Sequence, residues 1–210
     1  MYILMLAIFA GIFTFNINQE KRFRFFTLYL VFVLAVEITG SILSGHHINN
    51  NPLFNVFTII EFSFYLLFFR SIIKKFSTLK YIKILQILVP LFFILDLLLF
   101  QGIWKFNSYS YVINTMLIDV CAIFYILELF ETTNERSLSK NPDFWITIGI
   151  LFFYISSVSF LGIINYGSNL SIRIMHQLHH LFVINNIILY LMFIFAFICR
   201  IPIQKYMSNS

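Results

Sequence analysis

The sequence predicts an all-α polytopic membrane protein, a seven-helix transmembrane bundle with its N-terminus outside and its C-terminus cytoplasmic. Three observations carry that prediction. The 210 residues are 60% hydrophobic and only 11% charged, whereas soluble domains carry about 25% charged residues. Long apolar runs recur along the chain between short polar breaks. Basic residues concentrate in alternate breaks. Disorder is excluded by the same composition, since disordered chains are poor in aromatics and rich in charge. At about 20 residues per crossing, residues 1–210 read as a single domain with no room for an appended soluble one.

The first run, 2–17, has its basic residues Lys21, Arg22 and Arg24 after it and no A-x-A site following, so it reads as a retained helix rather than a cleaved signal peptide. The second, 25–45, places Glu37, Ser41 and Ser44 on one face by i, i+4, i+7 spacing. The third, 53–73, follows Asn51-Pro52, where Asn can cap a helix and Pro needs no amide donor at its first turn. It carries the stripe Asn51, Asn55, Thr58, Glu61 and Tyr65. The fourth, 82–100, has Asp96 near its end. The fifth, 110–130, has Asn114, Thr115 and Asp119 in its first half, with Tyr125 and Glu128 in its second. The sixth, 144–165, opens after Asn141-Pro142 and closes on Asn165. On the seventh, 173–199, His176, His179, Val183, Asn186 and Tyr190 share a face, with His180 and Asn185 beside it.

Orientation follows from the cytoplasmic excess of Lys and Arg in short loops. Odd-numbered loops and the tail hold Lys21, Arg22, Arg24, Arg70, Lys74, Lys75, Lys80, Lys83, Arg136, Lys140, Arg200 and Lys205, whereas even-numbered loops hold only Lys105 and Arg173. The net charge of +5 is therefore a topology signal, with a mild attraction to anionic membrane lipid, and gives no reason to invoke nucleic acid. Cys121 and Cys199 both lie inside apolar runs, so no disulfide framework is expected.

With orientation set, polar residues can be placed by depth. Glu37, Asn55, Glu61, Asp96, Asn114, Asp119, Asn185 and Asn186 fall mostly in the outer halves of their helices. An ionisable group in hydrocarbon costs about 2.5–3.5 kcal/mol on insertion scales, so such residues should face the bundle interior or a wet cavity. Together they predict a polar cavity open to the outside, binding a small ligand or ion. Polar residues can also bond helices to one another, for about 0.6 kcal/mol each. The five histidines lie on the same outer side. His176 and His180 are one turn apart, and His46 or His47 could add a third zinc ligand across the mouth.

Asn51-Pro52 with Asn55, Ile59 to Phe62, Phe100-Gln101-Gly102, Asn141-Pro142 with Phe144-Trp145, and Asn186 to Tyr190 resemble a family of uncharacterised seven-helix proteins of Gram-negative bacteria. That resemblance spans the chain and implies an inner (cytoplasmic) membrane location, but no mechanism. His176-x-x-x-His180 with His46 or His47 resembles the histidine placement of alkaline-ceramidase and adiponectin-receptor-like hydrolases, although Ser44 and His47 are one residue short of that family's Ser-x-x-x-His. The likeness implies a zinc-dependent lipid hydrolase with Glu37 or Glu61 as proton carrier. His176-x-x-His179-His180 is similar to one histidine box of membrane desaturases, which need several. Rhodopsin-like proteins share the plan, but residues 181–199 contain no Lys for a Schiff base, so retinal is not expected. Asn55–Arg70 and Asn185–Arg200 are equal-length segments running from Asn to Arg, similar to the 3+1+3 plan of SWEET and PQ-loop transporters without their Pro-Gln motif. The reading that follows is a non-enzymatic ligand or ion sensor signalling through a membrane or cytoplasmic partner at the basic loop Arg70–Lys83 or the tail. A zinc hydrolase and a small transporter are the alternatives.

Overall fold

The computed structural model describes residues 1–15, 21–132, 138–166 and 171–199, and all regular structure among them is helical. Seven helices follow one another: α1 Tyr2–Phe13, α2 Lys21–Gly45, α3 Asn51–Ile72, α4 Phe76–Leu99, α5 Ser108–Thr132, α6 Pro142–Tyr166 and α7 Ile172–Ile198. Six are long and apolar enough to cross a membrane, and α1 is an apolar helix of 12 residues. At 1.5 Å per residue α1 covers about 18 Å of a hydrocarbon core about 30 Å thick. It closes at Thr14, whose hydroxyl donates to the carbonyls of Ala10 and Gly11, both at 3.0 Å. The expected first run reached residue 17, and residues 16–20 lie outside the described set, as do 133–137, 167–170 and 200–210.

Two helices begin earlier than the charge breaks suggest. α2 starts at Lys21 and α4 at Phe76, so Lys21, Arg22, Arg24, Lys80 and Lys83 belong to helices. Lys and Arg are good helix formers whose long stems lie along apolar surface while the charge reaches the interface, so such residues end an apolar run without ending a helix. The Asn-Pro starts are found as expected. Pro52 and Pro142 occupy first turns, and Asn141 Oδ1 accepts from the Asp143 amide at 3.0 Å. At α3, Asn49 performs this role, accepting from the Asn51 amide at 2.9 Å.

Packing closes a ring. α1 packs on α2, α2 on α3, α3 on α5, α5 on α6, α6 on α7, and α7 on α1. α4 stands outside, against α3 and α5, and turns Ile87, Leu91 and Leu98 outward as lipid-facing surface. α6 and α7 approach closely at Gly149, where a Cβ would stand 2.9 Å from Met192 Cβ.

The loops sort to two ends. At one end Asn49 and Asn51 of the α2–α3 turn donate to the Trp104 carbonyl of the α4–α5 loop, at 2.8 and 3.1 Å. At the other, Arg22 of α2 meets Asp143 of α6 at 3.1 Å, and the Lys74 amide between α3 and α4 donates to Glu128 of α5 at 2.8 Å. Nine of the basic residues assigned above to the cytoplasmic side are described, and all lie toward this second end.

Candidate functional site

A cavity of about 500 Å³ lies inside the ring, lined by α2, α3, α5, α6, α7 and Phe106 of the α4–α5 loop. That volume is within the range of about 300–1,000 Å³ typical of small-molecule sites. Asn51, Phe106, Leu178 and His179 surround it near the loop end that holds Trp104, and Tyr29, Leu30, Tyr65 and Phe193 line its deep part. Along α3 it runs from Asn51 to Tyr65, about 21 Å at 1.5 Å per residue.

The seam between α2 and α7 explains the opening. In the deep half, Phe26 meets Phe193 and Phe197 edge-on, with centroids 4.9 and 6.3 Å apart. Here α1 fits tightly, since any Cβ at Gly11 would collide with Thr27 and crowd Phe197. Midway, the Tyr190 hydroxyl donates to Glu37 Oε1 at 3.0 Å. Beyond Glu37, toward the mouth, no polar or ring contact joins α2 to α7 among the described residues. α2 and α7 are not among the closely packed helix pairs, and the cavity lies between them, with Val33, Val36 and Glu37 on one side and Phe182, Asn186 and Leu189 on the other.

The wall is mainly apolar and aromatic, with two carboxylates. Glu37 takes the Tyr190 bond, and the Met1 amino group stands 3.9 Å from its Oε2. Glu61, halfway along α3, accepts from the Tyr29 hydroxyl at 3.2 Å. Tyrosines surround it from four helices. The rings of Tyr29 and Tyr65 are 5.6 Å apart, those of Tyr65 and Tyr154 5.7 Å, and those of Tyr111 and Tyr154 6.5 Å. Tyr29 is held in place by stacking on Phe64 at 3.9 Å. A carboxylate set among hydroxyls and ring faces can hold the polar end of a ligand whose apolar part lies along the remaining wall.

No family model matches the chain, no curated protein matches it, and no solved structure matches it.

Of the residues expected at the cavity, Glu37, Glu61 and Asn186 line it. The other five serve elsewhere. Asn55 is buried and clamps the α4–α5 loop: its Nδ2 donates to the carbonyls of Ile103 and Lys105 at 3.0 and 2.7 Å, and its Oδ1 accepts from the Asn107 amide at 3.1 Å. Asp96 is buried and accepts from the Ser110 hydroxyl, joining α4 to α5. Asn185 donates to the Phe153 carbonyl at 3.0 Å, joining α7 to α6. Asn114, buried, faces an apolar groove between α4 and α5, and Asp119 is half-buried further along α5. Asn165 lies in α6, in a stretch whose side chains are outside the described set.

The histidines also separate. His176 and His180 pair on α7 with centroids 4.5 Å apart, both exposed. His46 and His47 sit in the exposed turn after α2, where His47 has φ 58°. Among the described residues no three His, Cys, Asp or Glu side chains come together around one point, so the expected zinc set is not assembled. The reason is placement by helical phase: the histidine that enters the cavity is His179, about 100° around α7 from His180. Tyr29, Tyr111 and Tyr154 were not singled out from the sequence, whereas Tyr65 and Tyr190 were, as members of polar stripes on their helices. The available signal was spacing, since Tyr29, Val33 and Glu37 follow at intervals of four along one face of α2.

Proposed function

We propose that this chain is a multi-pass protein of a bacterial inner membrane whose cavity takes up a small ligand from the outer side and reports it to a membrane or cytoplasmic partner. The observation that carries this reading is the 500 Å³ chamber between α2 and α7, whose lining runs from Glu61 to the exposed His179 and to Asn51 near the loop end that holds Trp104. The basic segment Arg70–Lys83 at the opposite end is the surface on which a partner would read the change.

The test is access. In a background with Cys121→Ala and Cys199→Ser, Asn186→Cys should react with a membrane-impermeant thiol reagent applied from outside. Reaction only from the cytoplasmic side would overturn the reading. A reporter active only in the periplasm should be silent when fused to the C-terminus, and activity there would invert the orientation.

Transport is a second reading, favoured by the ring order. Replacing α1, α2 and α3 by α5, α6 and α7, and the reverse, maps every neighbouring pair of the ring onto another neighbouring pair, with α4 outside. That adjacency is what a parallel repeat with an in-line pseudo-two-fold axis requires. Substrate flux in proteoliposomes that Glu61→Gln impairs would favour it over sensing.

A further inference from the structure

We propose that the cavity's ligand is a monovalent organic cation with an apolar body, its charge held at Glu61 and its body against the ring-lined wall. The inference rests on the reading of the cavity as a ligand site reached from the outer side, and adds the ligand's chemical class.

Charge is the first argument. Two carboxylates line the cavity, no Lys or Arg does, and the single imidazole, His179, is at the mouth. Glu37 already faces a cation, the Met1 amino group at 3.9 Å. Glu61 takes part in none of the ion pairs among the described residues. A carboxylate at the middle of a crossing helix is costly unless a partner cation or a wet cavity accompanies it. An anionic ligand would add to that cost; a cationic one offsets it.

The wall then selects among cations. A small metal ion needs several oxygen or nitrogen ligands at short range, and no three His, Cys, Asp or Glu groups come together among the described residues. The side chains around Glu61 are aromatic, tyrosine rings with their hydroxyls and phenylalanines. Tyr29, Tyr65 and Tyr111 line the cavity, with Phe57 and Phe193 above and below them. Ring faces attract a desolvated, diffuse positive charge such as a quaternary ammonium, and they do so more strongly away from water. The mouth-to-floor length of about 21 Å along α3 leaves a mainly apolar channel between Glu61 and the opening for the rest of such a molecule.

The full-length protein in lipid nanodiscs is titrated with radiolabelled tetraphenylphosphonium and with the smaller benzyltrimethylammonium, subtracting uptake by empty nanodiscs. Tetraphenylborate gives the same shape with the opposite charge, and triphenylphosphine oxide a similar neutral one. Saturable binding of a cation, displaced by the other cation and untouched by tetraphenylborate, is expected. Glu61→Gln should weaken it by about 30-fold or more, the lower end of the loss on removing one partner of a desolvated charge pair. The comparison among the four probes needs no variant, so it stands even if Glu61→Gln fails to fold. Equal binding of the neutral probe and the cations, or cation binding unchanged in a folded Glu61→Gln protein, overturns the cation assignment and leaves the cavity as a ligand site. Absence of saturable binding for all four probes, with Asn186→Cys unreactive from outside, overturns both.

Discussion

Asn55 and Glu61 belong to one polar stripe in the sequence of α3, yet their side chains do different things. Asn55 uses both ends of its amide on the α4–α5 loop, whereas Glu61 accepts from the Tyr29 hydroxyl at the cavity wall. Asn186, near the middle of α7, donates to the Phe182 carbonyl of its own helix at 3.0 Å. These differences give opposite expectations for the same substitution. Asn55→Leu strands two carbonyls and an amide, at about 1–3 kcal/mol for each group left unsatisfied. Asn186→Leu removes a bond the helix does not need and should be nearly neutral. Reversible unfolding in mixed micelles would show this contrast, and equal losses for the two variants would contradict the assigned roles. A sequence reading could not separate the two, because what distinguishes Asn55 is a loop about fifty residues further on that only the fold brings to it. Tyr29→Phe keeps the ring stack on Phe64 and removes the hydroxyl that donates to Glu61. Its stability cost should be about 0.6 kcal/mol, the average for interhelical bonds in a membrane, measured in the same assay.

Helices were more legible than side-chain partners. All seven, and their order, follow from runs of apolar residues, since lipid forces each segment to satisfy its own backbone. Boundaries at the basic ends were not legible, because Lys21 and Lys80 continue the helices they were expected to precede. Helix-to-helix distance was also hidden, because glycine marks a close approach only when its neighbour is known. At Gly149 an added Cβ would press on Met192 Cβ at 2.9 Å, an atom fixed to the α7 backbone, while Gly45 has nothing within 4 Å. Gly149→Leu should therefore force α6 and α7 apart, at about 1–3 kcal/mol for overpacking. Gly45→Ala should leave stability unchanged or raise it by up to about 1 kcal/mol. A denaturant midpoint that falls for the first and holds or rises for the second is the expected result. Gly40 links the element scale to the site, since a Cβ there would stand 2.7 Å from the ring of Phe54, a lining residue. Gly40→Ala should turn that ring and change ligand access at little cost in stability.

For the whole molecule, the scarcity of charge identified the solvent and the uneven placement of basic residues predicts an orientation, but the ring with α4 outside it lay beyond a reading of one chain. Apolar runs specify that helices are buried in lipid and say little about which helices touch. α4 is the informative element for orientation. It alone separates Lys74 from Lys105, both exposed at its two ends. The comparison therefore holds whether or not the 12-residue α1 reaches both faces. With Cys121 and Cys199 replaced, Lys105→Cys should react with an impermeant maleimide in intact cells, and Lys74→Cys only after permeabilisation. The reverse pattern would place the cavity mouth on the cytoplasmic side and remove the outward reading of the site. Reaction of both in intact cells would mean that α4 does not cross, which would break the alternation of basic loops on which the orientation depends.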